Sequence, residues 1–311
     1  MNAAYAPDVL VAGDLFADLV MSGFEAWPRP GEEVFAKRFH KEIGGGAAIT
    51  ASGLGKLGIR VGVVGVVGSY DGQWVKDQLR AQGVDTSTIR VSVAEPTAIT
   101  ISVSRALDRT FFTYNGANRE LPALLATLIG NQDFHSARHI HLAHAMDPEK
   151  LPGAFEPLKN NGRTLSVDVG WHPEWYADKR ALAALKLVDV FFPNEREGEA
   201  MTGEKDPCRM LKAMQIAGLR RVAMKLGRNG AALLWDGDIV FQEASAIEPV
   251  DTTGAGDCFD AGFLYGWLHG MEPKQCLRTG TACGEMSTLA LGGIAGFPSK
   301  EELETILCNV K

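Results

Sequence analysis

Short apolar runs alternate along the chain with longer stretches whose apolar residues recur at helical spacing. The runs are DVLVAG at 8–13, RVGVVGVVG at 60–68, HIHLA at 139–143, TLSVDVG at 164–170, VDVFFPN at 188–194, RVAMKLG at 221–227 and AALLW at 231–235. Most end on a Gly, Pro or Asn break and lead into a helical stretch, the order that builds βαβ units and a mainly parallel sheet. Helices are expected at 47–57, 72–82, 122–129, 179–186, 195–201, 209–217, 257–268 and 273–291. A three-layer αβα fold follows, with the sheet between two layers of helix. Residues 16–43 and 97–118 break the rhythm. They read as extended, and TAITISVSRALDRTFFTYN alternates about a turn at 106–109. Neither has a helix-length partner, so a small antiparallel flap over one edge of the core is expected. Such flaps close over substrate or pair with a second subunit. No repeat, linker or low-complexity segment interrupts the chain, and 1–311 is taken as one domain with these strands inserted.

Composition narrows the classes. The 311 residues are 46% hydrophobic and 22% charged, near the soluble globular average, which excludes a disordered or fibrous chain. The net charge of −7, without a basic cluster, speaks against nucleic acid as a partner. No run of 18 apolar residues suggests a membrane span, and MNAAYAPDVLVAGDLF lacks the basic and apolar parts of a leader. Five cysteines without a CxxC pair read as buried free thiols of a cytoplasmic protein. Thirty-five glycines gather around 44–72, 227–237 and 254–296, where loops turn tightly or approach ligands.

The most informative stretch is DTTGAGD at 251–257. Gly254, Ala255 and Gly256 stand at an expected helix start, where backbone N–H groups lack intrahelical partners and the dipole favours anions. Small residues leave those groups open to a phosphate. Asp257 would repel that phosphate if it served only as a cap. Its presence suggests a proton acceptor for a nucleophilic hydroxyl, and the parts together describe phosphoryl transfer.

Other motifs admit two readings each. Gly44–Gly46 lead into a small-residue helix, either as a tight turn or as a backbone at Gly45 and Gly46 that a polyhydroxylated ligand can approach. Gly62, Gly65 and Gly68 have the wrong spacing for a dinucleotide fingerprint. Asn194 and Glu197 follow a strand end and share a helix face. They suit a capping box or a hydrated Mg²⁺, and the anion loop favours the metal. Lys225, Gly227 and Gly230 fit a plain hairpin or the edge of a nucleotide site. Asp251 and Thr253 fit a helix cap or a K⁺ site. His135, His139, His141 and His144 cluster about one strand, with His139 and His141 on one face and His144 at its end, where a substrate could meet it.

DTTGAGDCFDAGF, IGGGAAITASGLGKLG and, between and before them, GDLFAD, PGEEV, VGVVGVVGSYDG, PNEREGEAMTG and KLGRNGA resemble in order the motifs of the ribokinase-like (PfkB) carbohydrate kinase family. The resemblance covers essentially the whole chain. It implies ATP and Mg²⁺ as cofactors, Asp257 as catalytic base, and Gly254, Ala255 and Gly256 as an anion hole for the γ-phosphate. It further implies Asn194 and Glu197 as the Mg²⁺ motif, Lys225, Gly227 and Gly230 beside ATP, Asp251 and Thr253 at K⁺, and Asp18 and Gly45 at the substrate. The extended segments become a β lid and a homodimer surface.

This chain departs from the family pattern at Ile49, where an Asn is usual, at Phe16 and at Ser69. A less polar acceptor pocket is expected. Lys41, Arg105 and Arg109 are the basic residues available to a substrate phosphate. The expected partner is a small sugar, or alternatively a nucleoside, given Ile49, Phe16 and the aromatics of GWHPEW. From another class, a nucleotide-binding regulator without turnover is disfavoured by the intact DTTGAGD, and a nicotinamide dehydrogenase by the missing GxGxxG.

Overall fold

The computed structural model describes residues 7–105, 108–131, 134 and 137–309, so His135 and the centre of the expected turn, Ala106 and Leu107, lie outside the described residues. In chain order the strands are β1 (Val9–Gly13), β2 (Phe16–Ser22), β3 (Arg38–Gly44), β4 (Val61–Gly68), β5 (Val84–Asp85), β6 (Ile89–Ser92), β7 (Ala98–Arg105), β8 (Asp108–Tyr114), β9 (His139–Ala143), β10 (Thr164–Asp168), β11 (Val190–Phe191), β12 (Arg221–Lys225), β13 (Ala231–Trp235) and β14 (Asp238–Gln242). The main sheet runs β14-β13-β12-β11-β10-β9-β1-β4-β5, with β6 also on β4. It is parallel from β12 to β6, and antiparallel only at β12–β13 and β13–β14.

Both faces of this sheet are covered, which is why its strands read as continuous apolar runs. Val9, Val11, Val61, Val63 and Val67 point to one face and pack with the helices Gly46–Lys56, Ala255–Leu268 and Pro273–Ser287. Leu10, Ala12, Val64 and Val66 point to the other, against Leu121–Asn131, Leu151–Lys159 and Pro207–Ile216. Alternation along each strand thus divides the apolar residues between two cores.

Several expectations are corrected. The helix expected at 273–291 ends at Ser287. There the carbonyl of Thr288 accepts from the N–H groups of Val250 (2.8 Å) and Asp251 (3.1 Å), so a neighbouring segment satisfies the helix end. Helices Leu151–Lys159, Pro173–Ala177 and Lys300–Asn309 were not expected, nor were the short or edge strands β5, β6 and β14. Three cysteines are buried, whereas Cys208 is half-buried and Cys308 exposed; all five are free.

The extended segments form a separate four-stranded sheet ordered β3-β2-β7-β8. It is not wholly antiparallel, because β2 and β7 run parallel from the pair Phe16–Ala98 to Ser22–Ser104. Both strands leave the same edge of the core, and that shared point of departure sets their common direction.

Candidate active site

The parallel strands bring their C-terminal ends to one edge of the sheet, where diverging loops leave room for ligands. Asp14 follows β1, His144 follows β9, Asp168 ends β10, Asn194 follows β11 and Lys225 ends β12. A cleft of about 530 Å³ opens there, lined by Asn194, Glu197, Lys225, Gly227 and Gly230 together with Ala255, Gly256 and Asp257. That size suits a small-molecule ligand.

The helix after DTTG begins at Ala255, two residues earlier than expected, and Gly254 precedes it with φ +69°. A Cβ on Gly254 would stand 2.7 Å from Ile49 Cδ1 and 3.0 Å from Gly293 Cα. Its N-cap, Gly254, has no side chain with which to cap the helix, and the Ala255 N–H donates to the Thr252 carbonyl (3.3 Å). Asp251 stands three residues before this N-cap. Its buried carboxylate accepts from the N–H groups of Thr253 (2.7 Å) and Gly292 (3.1 Å) and ties the loop together. Replacing Gly254 by Ala is expected to destabilise the protein by about 1–3 kcal/mol, through strain at positive φ and the clash with Ile49. Urea unfolding measures it, and an unchanged midpoint would refute the turn's dependence on glycine.

Beneath the loop lies a charge cluster that sequence reasoning did not single out. Lys225 Nζ donates to Asp168 (2.6 Å) and Asp260 (3.3 Å), and it lies 3.4 Å from where a Gly256 Cβ would stand. The carboxylate oxygens of Asp168, Asp257 and Asp260 lie within 4.8 Å of one another. Burial pushes the Asp168 carboxyl up, but the Lys225 ammonium, the Asp260 and Lys225 hydrogen bonds and the Gly170 N–H overcome this and hold it at about 2. Burial raises Asp260 well above the usual range despite Lys225, so it stays protonated beside Asp168. Asp257 is pushed up to about 7, first by burial and then by the charge of Asp168. Lys225 thus serves as the counter-ion of the buried Asp168 carboxylate, beside a protonated Asp260, as well as lining the cleft. Asp260 was legible as a charged residue three positions after Asp257 on a helix otherwise apolar, and Asp168 as a carboxylate ending a parallel strand.

Asn194 and Glu197 form a complete capping box: Asn194 Oδ1 accepts from the Glu197 N–H (3.0 Å) and Glu197 Oε2 from the Asn194 N–H (2.8 Å). Burial, followed by Asp168, raises Glu197 to about 7. Lys225–Trp235 makes the expected hairpin about a 3₁₀ turn at Gly227–Asn229. A Cβ on Gly230 would collide with the carbonyl of Gln242 at the end of β14, so the approach of that strand requires the glycine.

On the other side of Asp257 lies the triple-glycine turn. A Cβ on Gly46 would come within 3.0 Å of Asp257 Oδ1, one on Gly45 (φ +92°) would overlap the carbonyl of Asp14, and one on Gly44 would overlap the carboxyl of Asp18. His144 Nδ1 is 3.1 Å from Asp14 Oδ2. His139 and His141 share one face, as expected, in a buried series with Thr164 and Ser166 at 2.7–2.8 Å. Burial pushes them down to about 3 and about 4 and keeps them neutral.

Three expectations about the acceptor pocket are corrected. Ile49 is 3% exposed and packs on Gly254 and Gly293, so it lies beneath the anion loop rather than forming a pocket wall. Lys41 Nζ stacks 4.0 Å over the Trp74 ring. Trp175 is buried, its Nε1 donating to the Met146 carbonyl (2.6 Å), whereas Trp171 lines the cleft. The side chains of Arg105 and Arg109 lie outside the described part of the structure.

This fold and site define an α/β phosphotransferase, and comparison with known proteins gives the family. The pattern of the pfkB family carbohydrate kinases matches residues 7–300, and the chain belongs to that family, whose members are phosphotransferases acting on sugar hydroxyls. It is 30% identical to the 2-dehydro-3-deoxygluconokinase of Bacillus subtilis (strain 168), over 86% of this chain and 87% of that one. It is 28% identical to a nucleoside kinase of Methanothermobacter thermautotrophicus, over 88% and 87%. The fold matches Arabidopsis thaliana ribokinase complexed with ribose and ATP (TM-score 0.81, 24% identity, 97% and 99% covered). It matches equally an E. coli protein described as ribokinase II in complex with ATP and Mg²⁺ (TM-score 0.81, 23%, 97% and 99%). Among the described residues no helix is long and apolar enough to cross a membrane.

Proposed function

We propose that the protein transfers the γ-phosphoryl group of ATP to a hydroxyl, in particular a hydroxymethyl group, of a small sugar or sugar derivative, with Asp257 as the base that takes the hydroxyl proton. One juxtaposition carries this reading. Asp257 lies in the first turn of a helix that begins behind Gly254 and borders the cleft, and its carboxyl also abuts Gly46. A carboxyl raised to about 7 accepts a proton near neutral pH more readily than an ordinary aspartate would.

The loop Gly254, Ala255 and Gly256 at the helix start would form the anion hole for the phosphoryl oxygens, with the Lys225 ammonium adding positive charge next to Gly256. Gly227 and Gly230 would border the nucleotide. Asn194 and Glu197 offer oxygen donors at the rim of the same cleft, a set suited to a hydrated Mg²⁺, which when bound would neutralise phosphate charge. The buried Asp251 carboxylate, with Thr253, would give K⁺ a counter-charge. Asp18, Gly45, Gly46 and His144 would meet the acceptor.

The domain assignment 1–311, with lid insertions at 16–43 and 97–118, belongs to the same proposal, as does a homodimer through the lid, favoured by exposed Phe39, Phe111 and Phe112. We place the enzyme in the cytoplasm, where five free thiols stay reduced. A nucleoside acceptor is the second reading, favoured by the Phe16 ring lying 3.1 Å from the Gly45 Cβ position and by the nucleoside kinase relative.

A screen coupling ADP release to a panel of sugars and nucleosides tests the proposal. Acceptor-dependent turnover is expected with Mg²⁺ and is lost when the metal is chelated. ADP release that no acceptor increases would overturn it.

A further inference from the structure

Two carboxyl groups lie against the triple-glycine turn. Asp18 of the lid crowds Gly44, and Asp257 of the helix Ala255–Leu268 crowds Gly46. The charge of Asp18 also acts on Asp257, so a hydroxyl brought to Asp257 lies within reach of the charge on the lid. Asp18 is not alone on its face of the lid. Its cross-strand neighbour in the β2–β3 register is Glu42, and Glu42 lies so close to Gly292 that a Cβ there would overlap its carboxyl group.

Among the described residues, three lysines of the lid and cleft are committed elsewhere. Lys225 is held by Asp168 and Asp260. Lys41 projects from the opposite face of β3 and stacks on Trp74, and Lys37 pairs with Glu25 at 3.0 Å. Burial, followed by the charge of Glu42, pushes Asp18 up to about 7. Glu42 is raised by burial and by Asp251, with His40 opposing. A carboxylate or phosphate on an incoming acceptor would add a further negative charge to a half-buried, already crowded pair, and like charges so placed are strongly disfavoured. Hydroxyl groups, by contrast, donate strong hydrogen bonds to carboxylates.

We infer that the acceptor is an uncharged, hydroxyl-rich molecule, and that Asp18 and Glu42 on the lid select it by excluding sugar acids and sugar phosphates. This rests on the phosphotransfer proposed for the same site. It sets the chain apart from its relative that is named for 2-dehydro-3-deoxygluconate.

The test is calorimetric titration of the full chain, with Mg²⁺ and a non-hydrolysable ATP analogue, against matched pairs: glucitol and gluconate, fructose and fructose 6-phosphate, adenosine and its 5′-phosphate. 2-Dehydro-3-deoxygluconate is added as a further acid. At least one neutral member is expected to bind about 30-fold or more tightly than its anionic counterpart. Glu42→Gln, which keeps the shape and an oxygen acceptor for the Gly293 N–H, is expected to shrink that ratio about tenfold. An anion binding as well as its neutral counterpart, no neutral member binding, or a ratio unmoved by Glu42→Gln would each overturn the inference. Turnover is followed separately. Charge-selective binding without phosphate transfer would uphold the selection and refute the kinase reading.

Discussion

Replacing Asp257 by Asn is expected to lower kcat about 10²–10⁴-fold, the usual contribution of a positioned general base, while raising the melting temperature near pH 8. The two effects have one origin. Burial and the neighbouring Asp168 push the Asp257 carboxyl up to about 7, so the folded protein binds its proton more tightly than the unfolded chain does. The stability this contributes is fully present below the ordinary carboxylate range and is lost as pH rises through about 7. At pH 8 the wild type holds a crowded carboxylate that the Asn variant lacks. A gain of about 1 kcal/mol there corresponds to a rise of roughly 2–4 °C, and the gain should vanish near pH 4. The wild-type kcat/KM should climb as pH rises through about 7. A variant that keeps normal turnover would refute the role of Asp257, and equal melting temperatures at pH 8 would refute the electrostatic account.

Lys225→Met should have the largest effect on stability, a loss of about 3–5 kcal/mol, because it leaves the buried Asp168 carboxylate without its counter-ion. Pairing it with Asp168→Asn removes the orphaned charge and should recover most of the loss. Urea unfolding of the single and double variants measures the coupling. A single variant as stable as the wild type, or a double variant no better than the single, would show that the cluster is not held together by this ion pair. Activity should not return in the double variant, since the positive charge beside Gly256 is gone.

Much of the architecture was legible because each strand of the main sheet is buried on both faces. Runs such as VLVAG and VGVVGVVG can satisfy that environment only as central strands. The extended character of 16–22 and 98–105 was legible for a similar reason, whereas their mutual direction was not. Strand pairing between segments some eighty residues apart depends on where each leaves the core, and the parallel pair Phe16–Ala98 records that point.

The site divides in the same way. Asp257 and its small-residue loop stood out because their spacing is local, all within one turn of chain. Ile49 looked like a change in the acceptor pocket. Only its packing on Gly254 and Gly293 reassigned it to the underside of the loop. Lys225 looked like a nucleotide contact. Its hydrogen bonds to Asp168 and Asp260, 57 and 35 residues away, make it a buried counter-ion too.

By itself the sequence determined the layered fold, the family and the placement of DTTGAGD at a helix start, because these follow from periodicity and from backbone geometry within a few residues. The tertiary structure alone decided which charges face one another. It put Asp168 and Asp260 on Lys225, and Glu42 beside Asp18 across the lid. Such contacts join distant segments, and burial gives them their strength, since a charge away from water responds to its neighbours far more than an exposed one does.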